Sequence, residues 1–295
     1  MNFNKLSDRS KGILFIIMSA FGFAMMSAFV KLSGDLPPLQ KTFFRNIVAV
    51  IVASITIIKS KGEFFGKKEN QKVLILRSML GTLGILFNFY AIDKLILSDA
   101  NMLNKLSPFF SIIFSTIFLK EKMKPKQGKV VSIACTGAFI GALFIIKPSF
   151  NLEMIPALIG LLGGISAAGA YTCVRALGNK EQPNTIVFYF SFFSSIVILP
   201  FMLSVYKPMS VIQLSYLILA GIFASVGQFG ITLAYKFAPA KEISIFDYTN
   251  IIFSALISLV IFGVLPDWRS FIGYIIIFTA SLYIFNFNKK LDNMK

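Results

Sequence analysis

The sequence predicts an all-α membrane protein with ten transmembrane helices, arranged as two inverted five-helix repeats with both termini in the cytoplasm. Three observations lead to this prediction. The chain of 295 residues is 56% hydrophobic and only 14% charged, which leaves too little polar surface for a soluble domain of this size. Its apolar runs are long enough to cross a hydrocarbon layer about 30 Å thick. Its basic residues are also distributed unevenly between the two sides that these runs define.

The apolar runs follow one another with only short connections, which leave no room for a separate catalytic domain. Six runs contain no charged residue, and each of the other four contains one, namely Arg45, Arg77, Lys105 or Asp247. In chain order the predicted spans are Ile13–Val30, Phe43–Ile58, Val73–Ile92, Ala100–Leu119, Val130–Ile146, Met154–Val174, Asn184–Tyr206, Met209–Tyr235, Ile243–Pro266 and Ser270–Asn288.

The lysine and arginine residues indicate the orientation of the chain. With the N-terminus placed in the cytoplasm, twenty of the 29 flank the cytoplasmic ends of the spans, six flank the outer ends and three lie within spans. Such an excess is typical of cytoplasmic loops, so we expect both termini on that side. The net charge of +16 then reflects the orientation of the chain in the membrane, and it also favours attraction to anionic lipid. We expect no nucleic-acid partner. The first apolar run is longer than that of a signal peptide, and we expect it to be retained.

The chain divides into two halves of five spans each. Residues 1–147 and 153–288 are predicted to insert with opposite orientations, followed by a cytoplasmic tail at 289–295. Inverted repeats of this kind recur in secondary transporters. Polar residues of the fourth and ninth spans coincide at an offset of 143 residues. Each set has the spacing i, i+3, i+7, i+11, which places it on one face of a helix: Asn104, Ser107, Ser111 and Ser115 in the fourth span, and Asp247, Asn250, Ser254 and Ser258 in the ninth.

The two sets form polar stripes along their helices, and helix packing explains Asp247 less well than it explains the other members. Serine and asparagine allow close helix packing and hydrogen bonding, which accounts for the others as well as substrate binding does. A carboxylate within a span costs about 2.5–3.5 kcal/mol on insertion scales, and it usually faces a cavity or a partner. A position near the cytoplasmic interface is the other interpretation, because Glu242 lies only five residues earlier. We predict a functional role for Asp247, and we interpret Asp99 and Glu242 as helix-start acids.

The cations within the spans have two interpretations. Arg45 and Lys105 either line a cavity or extend their side chains to the membrane surface. Arg77 lies close to the cytoplasmic end of the third span, where extension to the surface is the preferred interpretation. The glycines of the third and sixth spans are interpreted as close-packing positions. Further candidates for the lining of a cavity, for which hydrogen bonding between helices is the alternative, are Asn88, Tyr171, Gln228 and Tyr248.

The sequence shows no arrangement typical of catalysis. It contains no histidine, no nucleotide-binding loop, no zinc-protease or serine-hydrolase motif and no aspartate-rich motif. We therefore predict that the protein is not an enzyme and that it uses neither a cofactor nor a metal ion. Without histidine, any proton coupling falls to a carboxylate, for which Asp247 is the candidate.

Several segments in this order resemble the drug/metabolite transporter superfamily, specifically its bacterial EamA-domain family. They are "FGFAMMSAFVK" ending at Lys31, "FFRN" with Arg45, "LSPFFSIIFSTIFLKEKM" with Pro108 and Glu121, "AYTCVRAL" with Arg175, "LAYKFAPAKEISIFDYTNIIFSALIS", and "VLPDWRSFIG". The second half departs from the pattern because it has Asn250 and Ile251 where the first half has Ser107 and Pro108. It also lacks an acid at the position that corresponds to Glu121.

The resemblance implies a secondary carrier for small organic solutes, with a central cavity among the first, third, fourth, sixth, eighth and ninth spans. We expect an exporter of small amphoteric metabolites such as amino acids in the bacterial inner membrane, which acts by alternating access as a monomer or a homodimer. Uptake of S-adenosylmethionine or a similar nucleoside-bearing metabolite is the alternative, and a lipid flippase is a further one. The expected partners are the solute and membrane lipid.

Overall fold

The computed structural model describes residues 6–120, 125–147, 154–237 and 243–292, and the regular secondary structure of this part of the chain is helical, without strands. Of the described helices, nine are long and apolar enough to cross a membrane, and the remaining predicted span is divided between two shorter helices, α4 and α5. The helices are α1 (Asp8–Leu32), α2 (Pro38–Ser60), α3 (Gln71–Lys94), α4 (Leu97–Asn104), α5 (Ser107–Phe118), α6 (Pro125–Ile146), α7 (Ile155–Leu177), α8 (Pro183–Ser204), α9 (Val211–Phe237), α10 (Thr249–Phe262) and α11 (Trp268–Asp292).

The fourth predicted span is interrupted, which the sequence analysis did not foresee. α4 ends at Asn104, and α5 begins at Ser107 after a turn at Lys105 and Leu106. Proline is tolerated in the first turn of α5, because the N–H that Pro108 lacks would have no partner there. The ninth span likewise begins with a turn of 3₁₀ helix at Ser244–Tyr248 before α10 starts. The prediction of one continuous helical face for each polar stripe is therefore wrong.

The helices form two bundles, and each bundle contains helices from both halves of the chain. In the first bundle α1 packs against α9 and α10, and in the second α7 packs against α3, α4 and α5. α2 packs against α8 and α9, α3 packs against α8, and α6 packs against α11. When the spans of the two halves are matched in order, exchange of the halves converts α1–α9 into α7–α3, α1–α10 into α7–α4 and α7–α5, and α2–α9 into α8–α3. The pairs α2–α8 and α6–α11 are converted into themselves. α4 crosses α10 between the two bundles.

Glycines bring helix backbones together within each bundle. A Cβ atom at Gly22 of α1 would lie 2.8 Å from the backbone nitrogen of Gly227 in α9. In the second bundle, a Cβ at Gly84 of α3 would lie 3.3 Å from the backbone nitrogen of Ala167 in α7. A Cβ at Gly164 of α7 would lie 2.7 Å from the carbonyl oxygen of Leu103. These close approaches confirm the predicted packing role of the glycines, since any larger residue would push the helices apart.

Candidate functional site

A cavity of about 80 Å³ lies where the two bundles meet. Its walls come from α1, α2, α3, the α4 region, α7, α8, α9 and α10, so the cavity expected among six spans also includes the second and seventh. These two additional helices contribute Arg45 and Phe190. The polar and charged residues of the lining are Ser27, Arg45, Arg77, Asn88, Asn101, Asn104, Lys105, Tyr171, Gln228 and Asn250.

The cavity is small for a metabolite. Binding sites for small organic molecules usually enclose about 300–1,000 Å³. A cavity of about 80 Å³ holds only a few water molecules, each of which needs about 10–15 Å³ on this measure. The cavity in this structure is therefore too small to enclose an organic solute of ordinary size.

An ion pair joins the two bundles beside the cavity. Lys105 Nζ donates a hydrogen bond to Asp247 Oδ2 at 2.7 Å, and the two side chains are 10% and 9% exposed. Tyr248 Oη donates to the backbone carbonyl of Lys105 at 3.1 Å, so the break in the fourth span receives a hydrogen bond from the ninth. Lys105 does not extend to a surface, and Asp247 is buried against it. The break and the 3₁₀ turn are the local structures that bring these two groups to the same place.

Asn101 is a central residue that the sequence analysis did not single out. Its Oδ1 accepts a hydrogen bond from Ser27 Oγ of α1 at 3.1 Å, and its Nδ2 donates to Ser254 Oγ of α10 at 2.8 Å. Asn101 lies one helical turn before Asn104 and therefore on the same face of the helix, and this spacing could have identified it from the sequence. Nearby, Asn250 Nδ2 donates to the carbonyl oxygen of Ala20 at 2.7 Å, a contact within the first bundle.

Arg45 and Arg77 are both buried inside the protein. Arg45 is 1% exposed and Arg77 is 4% exposed. The guanidinium carbon of Arg77 lies 3.8 Å from the centroid of the Phe190 ring, and that of Arg45 lies 6.0 Å from the same centroid. The prediction that Arg77 extends to the membrane surface is wrong, because α3 turns this side chain towards α8. The pattern of a single helix carries no information about that neighbour.

The remaining candidate residues divide between the cavity wall and the packing behind it. Asn88, Asn104, Tyr171 and Gln228 line the cavity. Ser111 Oγ donates to the carbonyl of Ala168 at 3.1 Å, which is a packing contact between α5 and α7. Outside the cavity wall are Asp247, Tyr248, Ser107, Ser111 and Ser254.

Asp99, an acidic residue near a helix end, has a structural partner. Asp99 lies in the first turn of α4, as predicted, and its Oδ1 accepts a hydrogen bond from Tyr274 Oη at 2.6 Å. Glu121 and Glu242 lie outside the described residues. Among the residues that the structure describes, no group of three or more His, Cys, Asp or Glu side chains is placed to hold a metal ion.

Comparisons with known proteins agree with this architecture. The model of the EamA-like transporter family matches residues 10–146 and again residues 154–286. The chain is 30% identical over 274 residues to the pseudopaline exporter CntI of Pseudomonas aeruginosa, covering 92% of this chain and 94% of that protein. It is 26% identical to human solute carrier family 35 member G1 over 275 residues, covering 87% of this chain and 74% of that protein.

One solved crystal structure of a protein resembles this chain with a TM-score of 0.69, covering 96% of this chain and 99% of that one. Its sequence identity is 13%, so this likeness concerns the fold alone. The two copies of the family match together include nearly the whole chain and coincide with its apolar helices. The chain is therefore a multi-pass membrane protein that belongs to the EamA-like transporter family.

Proposed function

We propose that this protein is a secondary carrier of the bacterial inner membrane that exports small amphoteric metabolites, such as amino acids and their derivatives, by alternating access. The observation that carries the proposal is the polar cavity between two helix bundles, bridged by the Lys105–Asp247 ion pair. The similarity to an exporter of P. aeruginosa supports the direction of transport.

The contacts of the two bundles suggest how access alternates. Within each bundle, helix backbones contact each other at glycines, which leaves little room for the helices to shift at those points. Between the bundles, α4 and α10 are joined by polar side chains, whose hydrogen bonds can be exchanged for others. We therefore place the movement at the α4–α10 crossing. The pairing of helices, which is preserved when the halves are exchanged, supports two inverted repeats. The placement of both termini in the cytoplasm rests on the distribution of lysine and arginine along the sequence.

The ion pair favours a solute that carries both signs of charge. Separation of Lys105 from Asp247 leaves two buried charges without partners, which is strongly unfavourable. An amphoteric solute removes this penalty, because its carboxylate binds Lys105 while its amine binds Asp247. The solute thereby replaces one ion pair with two and stabilises the open arrangement. One chain supplies the whole cavity, so a monomer suffices and a homodimer would contain two such sites.

Neither uptake of a nucleoside-bearing metabolite nor translocation of lipid is favoured by a specific feature of the described cavity. Both are nevertheless separable from the proposal, because the panel of solutes in the assay below includes S-adenosylmethionine and a fluorescent phospholipid.

The proposal is tested by reconstitution of the purified protein in liposomes and measurement of counterflow with labelled amino acids, their derivatives and S-adenosylmethionine, together with the translocation of a fluorescent phospholipid. We expect accumulation of at least one amphoteric solute, absent from protein-free liposomes. An imposed pH gradient then tests coupling. If the gradient drives transport equally in the wild type and in Asp247→Asn, Asp247 is not the proton carrier. If no solute of the panel shows counterflow, the proposed function is wrong.

A further inference from the structure

The charges at the cavity do not balance. Arg45, Arg77 and Lys105 line it, and no carboxylate among the described residues does so. Asp247 lies behind the lining and is paired with Lys105. Neither arginine takes part in an ion pair within the described ranges. Two positive charges therefore face the cavity without a balancing negative charge from this part of the protein.

Several nitrogens of the two guanidinium groups also lack hydrogen-bond acceptors. Nε of Arg45, and Nε and Nη1 of Arg77, are buried and contact no acceptor in the part of the chain that the structure describes. Buried polar groups in native proteins are nearly always hydrogen-bonded, so unpartnered donors at a cavity indicate a group that is bound there in another state. The need is greater for a charged donor, since an uncompensated buried charge is strongly unfavourable.

The surroundings hold both side chains in place. Arg45 Nη1 donates to Oδ1 of Asn46, whose Nδ2 donates to Ser194 Oγ of α8 at 2.7 Å. Arg77 stacks on Phe190, and a Cβ at Gly81 would lie 2.8 Å from that ring and 3.2 Å from Arg77 Nη1. Glycine at position 81 therefore leaves the space that this guanidinium occupies. The two arginines are parts of a built site, at which one small molecule can reach both.

We propose that Arg45 and Arg77 form a site for a solute that carries two carboxylates and a net negative charge, with one carboxylate on each guanidinium. This inference rests on the proposed function and narrows its substrate class. The flat fork of donors on a guanidinium matches a carboxylate, which it binds through two parallel hydrogen bonds. A solute with one carboxylate satisfies only one of the two arginines. On such a solute the two carboxylates bind the arginines rather than Lys105, and an amine on the same solute remains available for Asp247.

Binding of a charge series to the purified full-length protein tests this inference without any need for transport. The probes are glutamine, glutamate, 2-oxoglutarate and inorganic phosphate, and the measurement is the dissociation constant from thermal-shift titration. We expect glutamate and 2-oxoglutarate to bind about tenfold more tightly than glutamine, since each has a second charge-assisted contact. In Arg45→Gln and in Arg77→Gln this preference should disappear.

Arg269→Gln is the matched control, because Arg269 is exposed beside Trp268 and the preference should be unchanged. Arg45→Lys and Arg77→Lys retain the positive charge but not the flat fork of donors. These variants should keep only part of the preference for glutamate over glutamine. If a glutamine variant does not fold, the comparison of the four probes on the wild-type protein still tests the inference.

Three results would overturn the inference: equal binding of glutamine and glutamate, a preference that all arginine variants retain, or phosphate binding as tight as that of glutamate. These outcomes are separate from a failure of the proposed function. Arginine-dependent binding of dicarboxylates without counterflow in liposomes refutes transport and leaves the site in place. Counterflow of neutral solutes without dicarboxylate binding refutes the site and leaves transport in place.

Discussion

At the residue scale, Lys105 and Asp247 meet at the crossing of two interrupted spans, where neither side chain is more than a tenth exposed. Their attraction offsets the cost of removing both charges from water. Removal of one partner from such a buried pair costs about 3–5 kcal/mol, whereas replacement of both by neutral groups of similar size is often close to neutral. The stability of variants and their transport activity should therefore respond differently to single and double substitutions.

We expect Asp247→Asn to keep the fold, lower the free energy of unfolding by roughly 3 kcal/mol and reduce transport at least tenfold, because it leaves Lys105 buried without a counter-charge. The double variant Lys105→Gln/Asp247→Asn should recover most of the stability but not the transport. Thermal unfolding in detergent and initial rates in liposomes give the two readouts. Ser258→Ala, also on α10, is the control and should change transport little. Recovery of transport in the double variant would mean that the pair is only structural.

Single residues also show how far sequence reasoning reaches. A lone carboxylate in an apolar run was sufficient to single out Asp247, because such a group needs a partner wherever it lies. The identity of the partner depends on which of ten helices faces it, and hydropathy does not encode this. Arg77 illustrates the difficulty: its distance from the helix start predicted a surface position, whereas contact with Phe190 on a different helix determines its burial.

At the element scale, crossings at glycine hold helices together, and those of α1 with α9 and of α3 with α7 lie within the two bundles. The backbone itself is the neighbour at Gly22, so no rotation of a side chain can relieve an added methyl group. Gly137 on α6 differs, because a Cβ there would lie 3.6 Å from the Cβ of Ala280, an ordinary contact distance.

Gly22→Ala should therefore destabilise the protein by about 1–3 kcal/mol, which is the usual cost of overpacking. Gly137→Ala, the matched control, should leave stability unchanged or raise it slightly, because alanine is the better helix former. The melting temperatures of the two purified variants provide the test. Equal melting temperatures would show that α1 and α9 can separate without cost, and would remove the basis for treating the first bundle as one unit.

The helices themselves were predictable to a large extent, because their apolar runs must match the thickness of the membrane. The interruption at Lys105 and Leu106 was not. Pro108 is compatible both with the first turn of a new helix and with a kink in a continuous one, so it does not decide between them. What fixes the break in the folded protein is contact from elsewhere, including the hydrogen bond from Tyr248 to the Lys105 carbonyl.

At the scale of the whole molecule, two halves with an odd number of spans must lie in opposite orientations if the predicted topology is right. We expect green fluorescent protein fused to the C-terminus to fluoresce, because it folds in the cytoplasm, and alkaline phosphatase fused after Lys147 to be active, because that connection is predicted to lie outside. The reciprocal fusions are the controls. Active phosphatase at the C-terminus would contradict the positive-inside assignment and, with it, the inverted arrangement of the halves.

The glycine crossings have a consequence for how this kind of protein diversifies. Gly22 and Gly227, which bring α1 and α9 together, do not line the cavity, whereas Gly84 both packs against α7 and lines it. If the proposed site is right, replacement of Arg45, Asn88 or Gln228 would alter which solute is accepted while the crossing at Gly22 stays intact. A protein whose packing residues and solute-binding residues are largely separate can come to bind new solutes through few mutations. Each such mutation costs little of the stability that the chain needs to fold.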